Sequence, residues 1–141
     1  MSRLNTQLES EAAEFFVLAT LLLQKIPAFK NYTKHSDYDL IATNLESNRL
    51  AKIQVKSRYR KGANGFPIKN FNSDFVVYCR LNRSLKDDVH SDPEYWIFPT
   101  ELVKRGIDTS SSWQKFYINK VLDLEKYYMN WQLIKKYLKI K

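Results

Sequence analysis

The chain has 141 residues, of which 44% are hydrophobic and 14% aromatic, with only 3 glycines and 4 prolines. This length and apolar content suit one domain with its own core, and they exclude disordered, collagen-like and low-complexity chains. The formal net charge is +8, and nearly all of the excess lies beyond residue 56. A basic balance of this size favours a polyanionic partner, with nucleic acid first among the candidates.

Apolar residues at steps of three and four predict an N-terminal helix over about Thr6–Lys25. Its apolar arc consists of Leu8, Ala12, Phe15, Ala19, Leu22 and Ile26. Glu11 falls inside this arc and Glu14 lies at its edge. A carboxylate on a face that packs against a sheet needs a cation or hydrogen-bond donors nearby. Each acid is therefore either a candidate ligand or a group that reaches solvent or a surface base.

Four apolar segments in the middle of the chain predict strands. They cover residues 38–43, 50–58, 75–81 and 95–98. The dipeptide Asn64-Gly65, after the second segment, predicts a hairpin tip or an exposed loop. Thr100 is expected to cap a short helix. A further amphipathic helix is predicted over about 123–140, with Leu124, Tyr128, Trp131, Ile134 and Leu138 on its apolar face.

This order of elements predicts the α/β fold class and one domain over residues 1–141. A mixed β-sheet of about four strands would be flanked by an N-terminal and a C-terminal helix. The lone cysteine, Cys79, cannot close an internal disulfide, so a cytoplasmic location is expected. No membrane association is expected, because the longest apolar run is far shorter than the roughly 20 residues of a membrane span.

Polar side chains occur at one end of two of the predicted strands. Asp39 stands directly before the apolar residues of the first strand, and Gln54 and Lys56 share one face of the second. If the strands are neighbours, these three groups converge. A carboxylate, an amide oxygen and an ammonium together suit a hard cation and a phosphate. The alternative is that Gln54 and Lys56 form the wet face of an amphipathic strand and that Asp39 is a turn residue.

The helical segment 13–19 (AEFFVLA), the segment 38–42 (YDLIA) and the segment 53–57 (IQVKS) occur in an order that resembles the PD-(D/E)XK nuclease superfamily. Within it, the chain is most similar to the group I intron homing endonucleases and related small endonucleases with the Gln-X-Lys variant. The resemblance implies a restriction-endonuclease-like core. It also implies hydrolysis of DNA phosphodiester bonds with Mg²⁺, or Mn²⁺, as the cofactor.

The same resemblance implies roles for individual residues. Asp39 would be the principal metal ligand, Gln54 the second ligand and Lys56 the catalytic lysine. Glu14 would be the helical acid, with Glu11 in reserve. The implied metal ligands are Asp39, Gln54, Val55 and Glu14. Because glutamine is uncharged, Gln54 should attract Mg²⁺ less strongly than a glutamate would.

A basic segment follows the predicted site. Its members are Arg58, Arg60, Lys61 and Lys69. These side chains bracket the Asn64-Gly65 turn and are expected to lie along the DNA backbone, or to enter a groove as a β-ribbon. The alternative is an ordinary solvated loop.

The resulting hypothesis is a Mg²⁺-dependent endonuclease that makes sequence-specific double-strand cuts, of the homing or restriction type. One alternative is a structure-selective nuclease like a Holliday-junction resolvase. Another is a DNA-binding module with weak catalysis. One small domain offers one active site, so cutting both strands of double-stranded DNA implies a homo-oligomer, either a dimer or a tetramer.

Overall fold

Helices flank a central run of strands in the computed structural model, which describes residues 3–33, 36–84, 90–110 and 113–141. The helices are α1 (Arg3–Leu23), α2 (Thr100–Arg105) and α3 (Gln132–Leu138). The strands are β1 (Ala28–Lys30), β2 (Leu40–Asn44), β3 (Arg49–Arg60), β4 (Gly65–Pro67), β5 (Phe75–Arg83), β6 (Glu94–Pro99) and β7 (Lys115–Tyr117). Among the described residues, no helix combines the length and the apolar character needed to cross a membrane.

The main sheet has five strands in the order β1-β2-β3-β5-β6. β3 and β5 are parallel, and the other neighbours are antiparallel. The predicted α/β class is confirmed, with a mixed sheet, an N-terminal helix and a C-terminal helix. β2 and β3 are adjacent, with Leu40 opposite Ile53. Their pairing brings Asp39 and Gln54, the two residues next to that pair, to the same end of the sheet.

The two faces of the main sheet pack against different partners. On β5, Val77 and Cys79 belong to a core shared with α1 and α3, whereas Val76 and Tyr78 belong to a second core on the opposite face. This alternation follows from the twofold side-chain period of a strand that is buried on both faces. The second core includes Phe66 of β4 and Phe116 of β7, which form a separate two-stranded sheet.

The predicted apolar arc of α1 is wrong. The buried side chains are Ala13, Val17 and Leu21, whereas Leu8 is 59% and Leu22 is 48% exposed. Most residues from 12 to 23 are apolar, so the sequence fits more than one helix face and periodicity alone cannot select the face that packs. Ala12, Phe15 and Ala19 of the predicted arc are exposed as well, and Ile26, beyond the helix, is buried.

The predicted C-terminal helix is much shorter than expected. Residues Leu124–Lys126 form a 3₁₀ turn, and the α-helix begins only at Gln132. Asp123 and Met129 have positive φ angles of 55° and 52°, which an α-helix does not accommodate. From the predicted face, Trp131, Ile134 and Leu138 are buried, whereas Tyr128 is 41% exposed.

Two local predictions also differ from the structure. The residue that precedes α2 as its N-cap is Pro99, and Thr100 is the first helical residue, with its hydroxyl 3.0 Å from that of Ser73. Of the two alternatives for Asn64-Gly65, the hairpin tip is wrong, whereas Asn64 is exposed in the connection between β3 and β4, as a loop residue would be. β4 pairs with β7 instead, and the chain turns at Gly62, whose φ is +76°.

Candidate active site

Asp39, directly before β2, is held in place by hydrogen bonds to the neighbouring strand β3. Its backbone N–H donates to the carbonyl of Ile53 at 2.9 Å. Its carboxylate oxygen Oδ2 accepts a hydrogen bond of 2.7 Å from the N–H of Val55. Burial raises the pKa of Asp39, while the Val55 amide and the nearby charges of Lys56 and Lys30 act in the opposite direction. The carboxylate is therefore both fixed and partly desolvated.

The side chain of Gln54 is buried, with 5% of the residue exposed. Its Nε2 donates to the carbonyl of Asp37 at 3.1 Å and to Oδ1 of Asn70 at 3.3 Å. Since both partners are acceptors, they fix which end of the amide carries the nitrogen. The other end, Oε1, is buried and accepts no hydrogen bond from the described residues. A buried acceptor without a donor costs free energy, so this oxygen is suited to a bound cation.

Lys56 lies two residues beyond Gln54 on β3, and the strand period places both on one face. Burial lowers the pKa of Lys56, Lys69 lowers it further, and Asp39 raises it. The charges of one carboxylate and of a second basic side chain therefore act on this ammonium in opposite directions. The two strands are neighbours, as the predicted convergence requires, so Asp39 and Gln54 meet at one end of the sheet. The simple wet-face interpretation of Gln54 does not agree with its burial.

Glu14 and Glu11 both lie beside Lys30 of β1. Lys30 is buried and ion-paired with Glu11, and its Nζ is 3.5 Å from Oε1 of Glu14. Burial and the charge of Asp39 raise the pKa of Glu14 to about 7, despite this lysine, which is closer to Glu11. Of the two acids, Glu14 is the more buried and the one coupled to Asp39, whereas the side chain of Glu11 is half exposed.

The possible metal ligands around Asp39 and Gln54 are oxygen atoms. Within the described ranges, no cluster of three or more His, Cys, Asp and Glu residues could hold one. The set here instead combines the carboxylates of Asp39 and Glu14, the amide oxygen of Gln54 and the backbone carbonyl of Val55. Hard cations such as Mg²⁺ and Mn²⁺ prefer such oxygens. The unpartnered Oε1 of Gln54 makes these residues a reasonable fit for one.

Sequence reasoning missed Lys30 and Asn70. Lys30 belongs to a three-residue strand with no clear alternating pattern, and Asn70 follows a segment that the sequence indicates only as a loop. The sequence did indicate that some basic side chain would pair with the acids of the helix, since a half-buried carboxylate needs a cation. The sequence did not show which residue this would be, because Lys30 and Glu11 are 19 residues apart in the chain.

Replacing Glu14 with glutamine is expected to change how stability depends on pH in the absence of metal. The folded protein keeps the Glu14 proton up to about pH 7, whereas a glutamate in the unfolded chain releases it near 4.5. The folded state thus binds more protons within this window, and the wild type loses about 2–3 kcal/mol of unfolding free energy as the pH rises through it. Glu14→Gln should not show this loss.

Urea denaturation at several pH values, in chelator, measures this difference. Glu9→Gln, also on α1, serves as the control and should follow the wild type. Parallel stability curves for the wild type and Glu14→Gln would contradict the raised pKa of Glu14.

The predicted DNA-contacting side chains lie around the segment that leaves β3. Arg60, Lys61 and Lys69 are exposed. Arg58 is also exposed, but its Nη1 donates to the carbonyl of Gly65 at 2.8 Å and so helps to hold the segment.

Two side chains of β5, Tyr78 and Arg80, bind the basic segment that leaves β3. The carbonyl of Ala63 accepts hydrogen bonds from the hydroxyl of Tyr78 at 2.6 Å and from Nη1 of Arg80 at 3.0 Å. Arg80 is itself held by Glu94 at 3.1 Å and lies 4.6 Å from the centroid of the Trp96 ring. The basic segment is therefore fixed to the sheet, and its charges are presented in a defined place.

No protein-family model matches the sequence, and no curated protein matches it either. Among solved structures, the chain is similar to the bacterial homing endonuclease I-Ssp6803I, with a TM-score of 0.65. The two chains share 17% sequence identity, and the match covers 93% of each. The likeness therefore extends over nearly the whole molecule, and it shows that the two chains share a fold.

Proposed function

We propose that this chain is a metal-dependent DNA endonuclease that hydrolyses phosphodiester bonds. The observation that carries the proposal is the buried Oε1 of Gln54, which has no donor among the described residues. Gln54 is on β3, the strand that also contains Lys56. The neighbouring strand, β2, begins directly after Asp39. The shared fold with a protein described as a homing endonuclease supports the assignment of this chemistry to DNA.

Asp39, Gln54, Glu14 and the Val55 carbonyl would hold Mg²⁺ or Mn²⁺. Bound there, the ion would supply Lewis acidity toward a phosphate oxygen and a lower pKa for a coordinated water. In sequence order these residues resemble the PD-(D/E)XK pattern, and that resemblance supports the proposal. Gln54 leaves the site one negative charge short of the glutamate form, so we expect weaker attraction for a second ion.

The protein groups have distinct roles in this proposal. The Val55 N–H keeps the Asp39 carboxylate in one orientation. Lys56, whose ammonium is favoured by Asp39, would orient the attacking water and stabilise the charge that develops on the phosphate. Because Lys56 is partly desolvated, its interaction with that charge would be stronger than in bulk water.

The exposed face of α1 supports a homo-oligomer. Its large apolar side chains include Leu4, Leu8, Phe15 and Leu22, which are between 48% and 62% exposed. The helical period places these side chains on one side of α1, and exposed apolar groups that share a helix face are typical of protein interfaces. We propose that a second copy of this chain packs here, giving a dimer or a tetramer with one active site in each subunit.

Cleavage of supercoiled plasmid with Mg²⁺, compared with chelator, tests the proposal. Direct conversion to linear DNA is expected, because an assembly with two sites cuts both strands in one encounter. Discrete fragments from a long duplex would indicate a sequence-specific enzyme of the homing or restriction type. Preferential cutting of four-way junctions would indicate a resolvase-like enzyme instead. Binding without any cutting would leave a DNA-binding module, and nicked circles from a protein that sediments as a monomer would exclude the oligomer.

A further inference from the structure

Trp113 is an exposed aromatic side chain next to the two-stranded sheet. It lies two residues before β7 and is 58% exposed. The pairing of β4 with β7 ends with Pro67 opposite Lys115, and the bond of 3.1 Å from the Ile68 N–H to the Gln114 carbonyl extends it. The next position in this register places Lys69 beside Trp113. The Nζ of Lys69 is 5.8 Å from the centroid of the indole ring.

The other two tryptophans are buried, one in each of the two cores. Trp96 and Trp131 are only 5% and 4% exposed, and each packs against a tyrosine ring. Trp113 belongs to neither core. Together with Lys69 it lines an open cavity of about 430 Å³. Cavities of about this size accommodate small organic ligands.

One residue that lines this cavity, Lys69, is next in the chain to a contact of the candidate active site. Asn70 directly follows Lys69 and accepts the hydrogen bond of 3.3 Å from the amide of Gln54. The ammonium of Lys69 is exposed, and it is stabilised when an anion binds beside it. The position therefore suits a phosphate next to the one that reacts.

We propose that Trp113 and Lys69 form a nucleotide subsite that flanks the scissile phosphate. In this arrangement the Lys69 ammonium contacts a phosphate of the DNA, and the flat indole packs against the sugar or base of the same nucleotide. The subsite rests on the proposed nuclease function. It adds a contact of a different kind from the basic segment, since a ring face buries apolar surface against the nucleotide and does not depend on charge.

Tryptophan fluorescence tests the subsite directly, because Trp113 is the accessible tryptophan. The probe is a random-sequence DNA duplex in chelator, with binding followed independently by anisotropy of a labelled copy. Acrylamide quenching of the wild-type emission is expected to fall when the duplex binds. In Trp113→Phe, which has only the two buried tryptophans, quenching should be weak and unchanged by DNA.

Affinity provides the second measurement. Trp113→Ala is expected to bind the duplex about 5- to 10-fold more weakly, whereas Trp113→Phe, which retains an aromatic face, should stay near the wild type. Leu45→Ala serves as the control, because it removes an exposed apolar side chain from the β2–β3 turn. Circular dichroism confirms that each variant is folded.

The outcomes separate the subsite from the function on which it rests. If the wild type binds the duplex but acrylamide still reaches Trp113 equally well, the subsite is overturned and the nuclease proposal stands. Equal losses of affinity in Trp113→Ala and Trp113→Phe, both folded, would also count against a face contact. If the wild type binds no DNA of any kind, both proposals fail.

Discussion

Replacing Asp39 with asparagine should lower the rate of DNA cleavage by about 10²–10³-fold or more, with little change in DNA affinity. The substitution keeps the shape of the side chain and an oxygen that can accept from the Val55 N–H, but it removes the charge that would bind the metal. Lys56→Met should have an effect of similar size, because it removes the ammonium and retains most of the apolar stem. Single-turnover cleavage with Mg²⁺ measures both rates.

Two neighbouring residues provide matched controls. Asp37 lies two residues before Asp39, and its carboxylate accepts from Asn72 at 2.7 Å. Lys52 is on the same strand and the same face as Lys56. Asp37→Asn and Lys52→Met should therefore cut nearly as fast as the wild type. Undiminished cutting by both Asp39→Asn and Lys56→Met would refute the assignment of the site.

Neutralising the basic segment should weaken binding and leave the cleavage step of bound DNA nearly intact. The double variant Arg60→Gln/Lys61→Gln removes two exposed positive charges from the segment that Tyr78 and Arg80 anchor. Each lost phosphate contact should reduce the slope of log affinity against log salt by about 1, so a total reduction of about 2 is expected. Titrations at several salt concentrations measure the slope.

The control for this variant has the same net charge. Lys135→Gln/Lys136→Gln removes two lysines from α3, which packs against the opposite face of the main sheet from β4 and β7. Its salt slope should stay near that of the wild type. If both double variants lower the slope equally, the effect comes from net charge and the basic segment has no special role.

The candidate site could be predicted from the sequence because its parts depend on short-range rules. Strand alternation places Gln54 and Lys56 on one face, and the single short turn between β2 and β3 brings Asp39 to that end of the sheet. The choice between Glu11 and Glu14 could not be made this way. It depends on which face of α1 is buried, and most residues of that helix from 12 onward are apolar, so the sequence does not single out one face.

The elements that prediction missed are those with weak local signals. β1, β4 and β7 have three residues each, too few for an alternating pattern to be recognised. β4 is defined as a strand by a partner some 50 residues away in the chain. The late start of the C-terminal helix, at Gln132, follows from the positive φ angles of Asp123 and Met129, which the apolar periodicity of this segment does not reveal.

The pairing of β4 with β7 has a consequence for how the molecule assembles. The hydrogen bond that fixes Asp39 joins residues 16 apart in the chain, whereas Gly65 and Tyr117 of the small sheet are far more distant. Closing the longer loop costs more chain entropy. During folding, Asp39 and Gln54 can therefore meet through the local β2–β3 hairpin. The surface on which Lys69 and Trp113 lie forms only after β7, in the C-terminal third of the chain, has paired with β4.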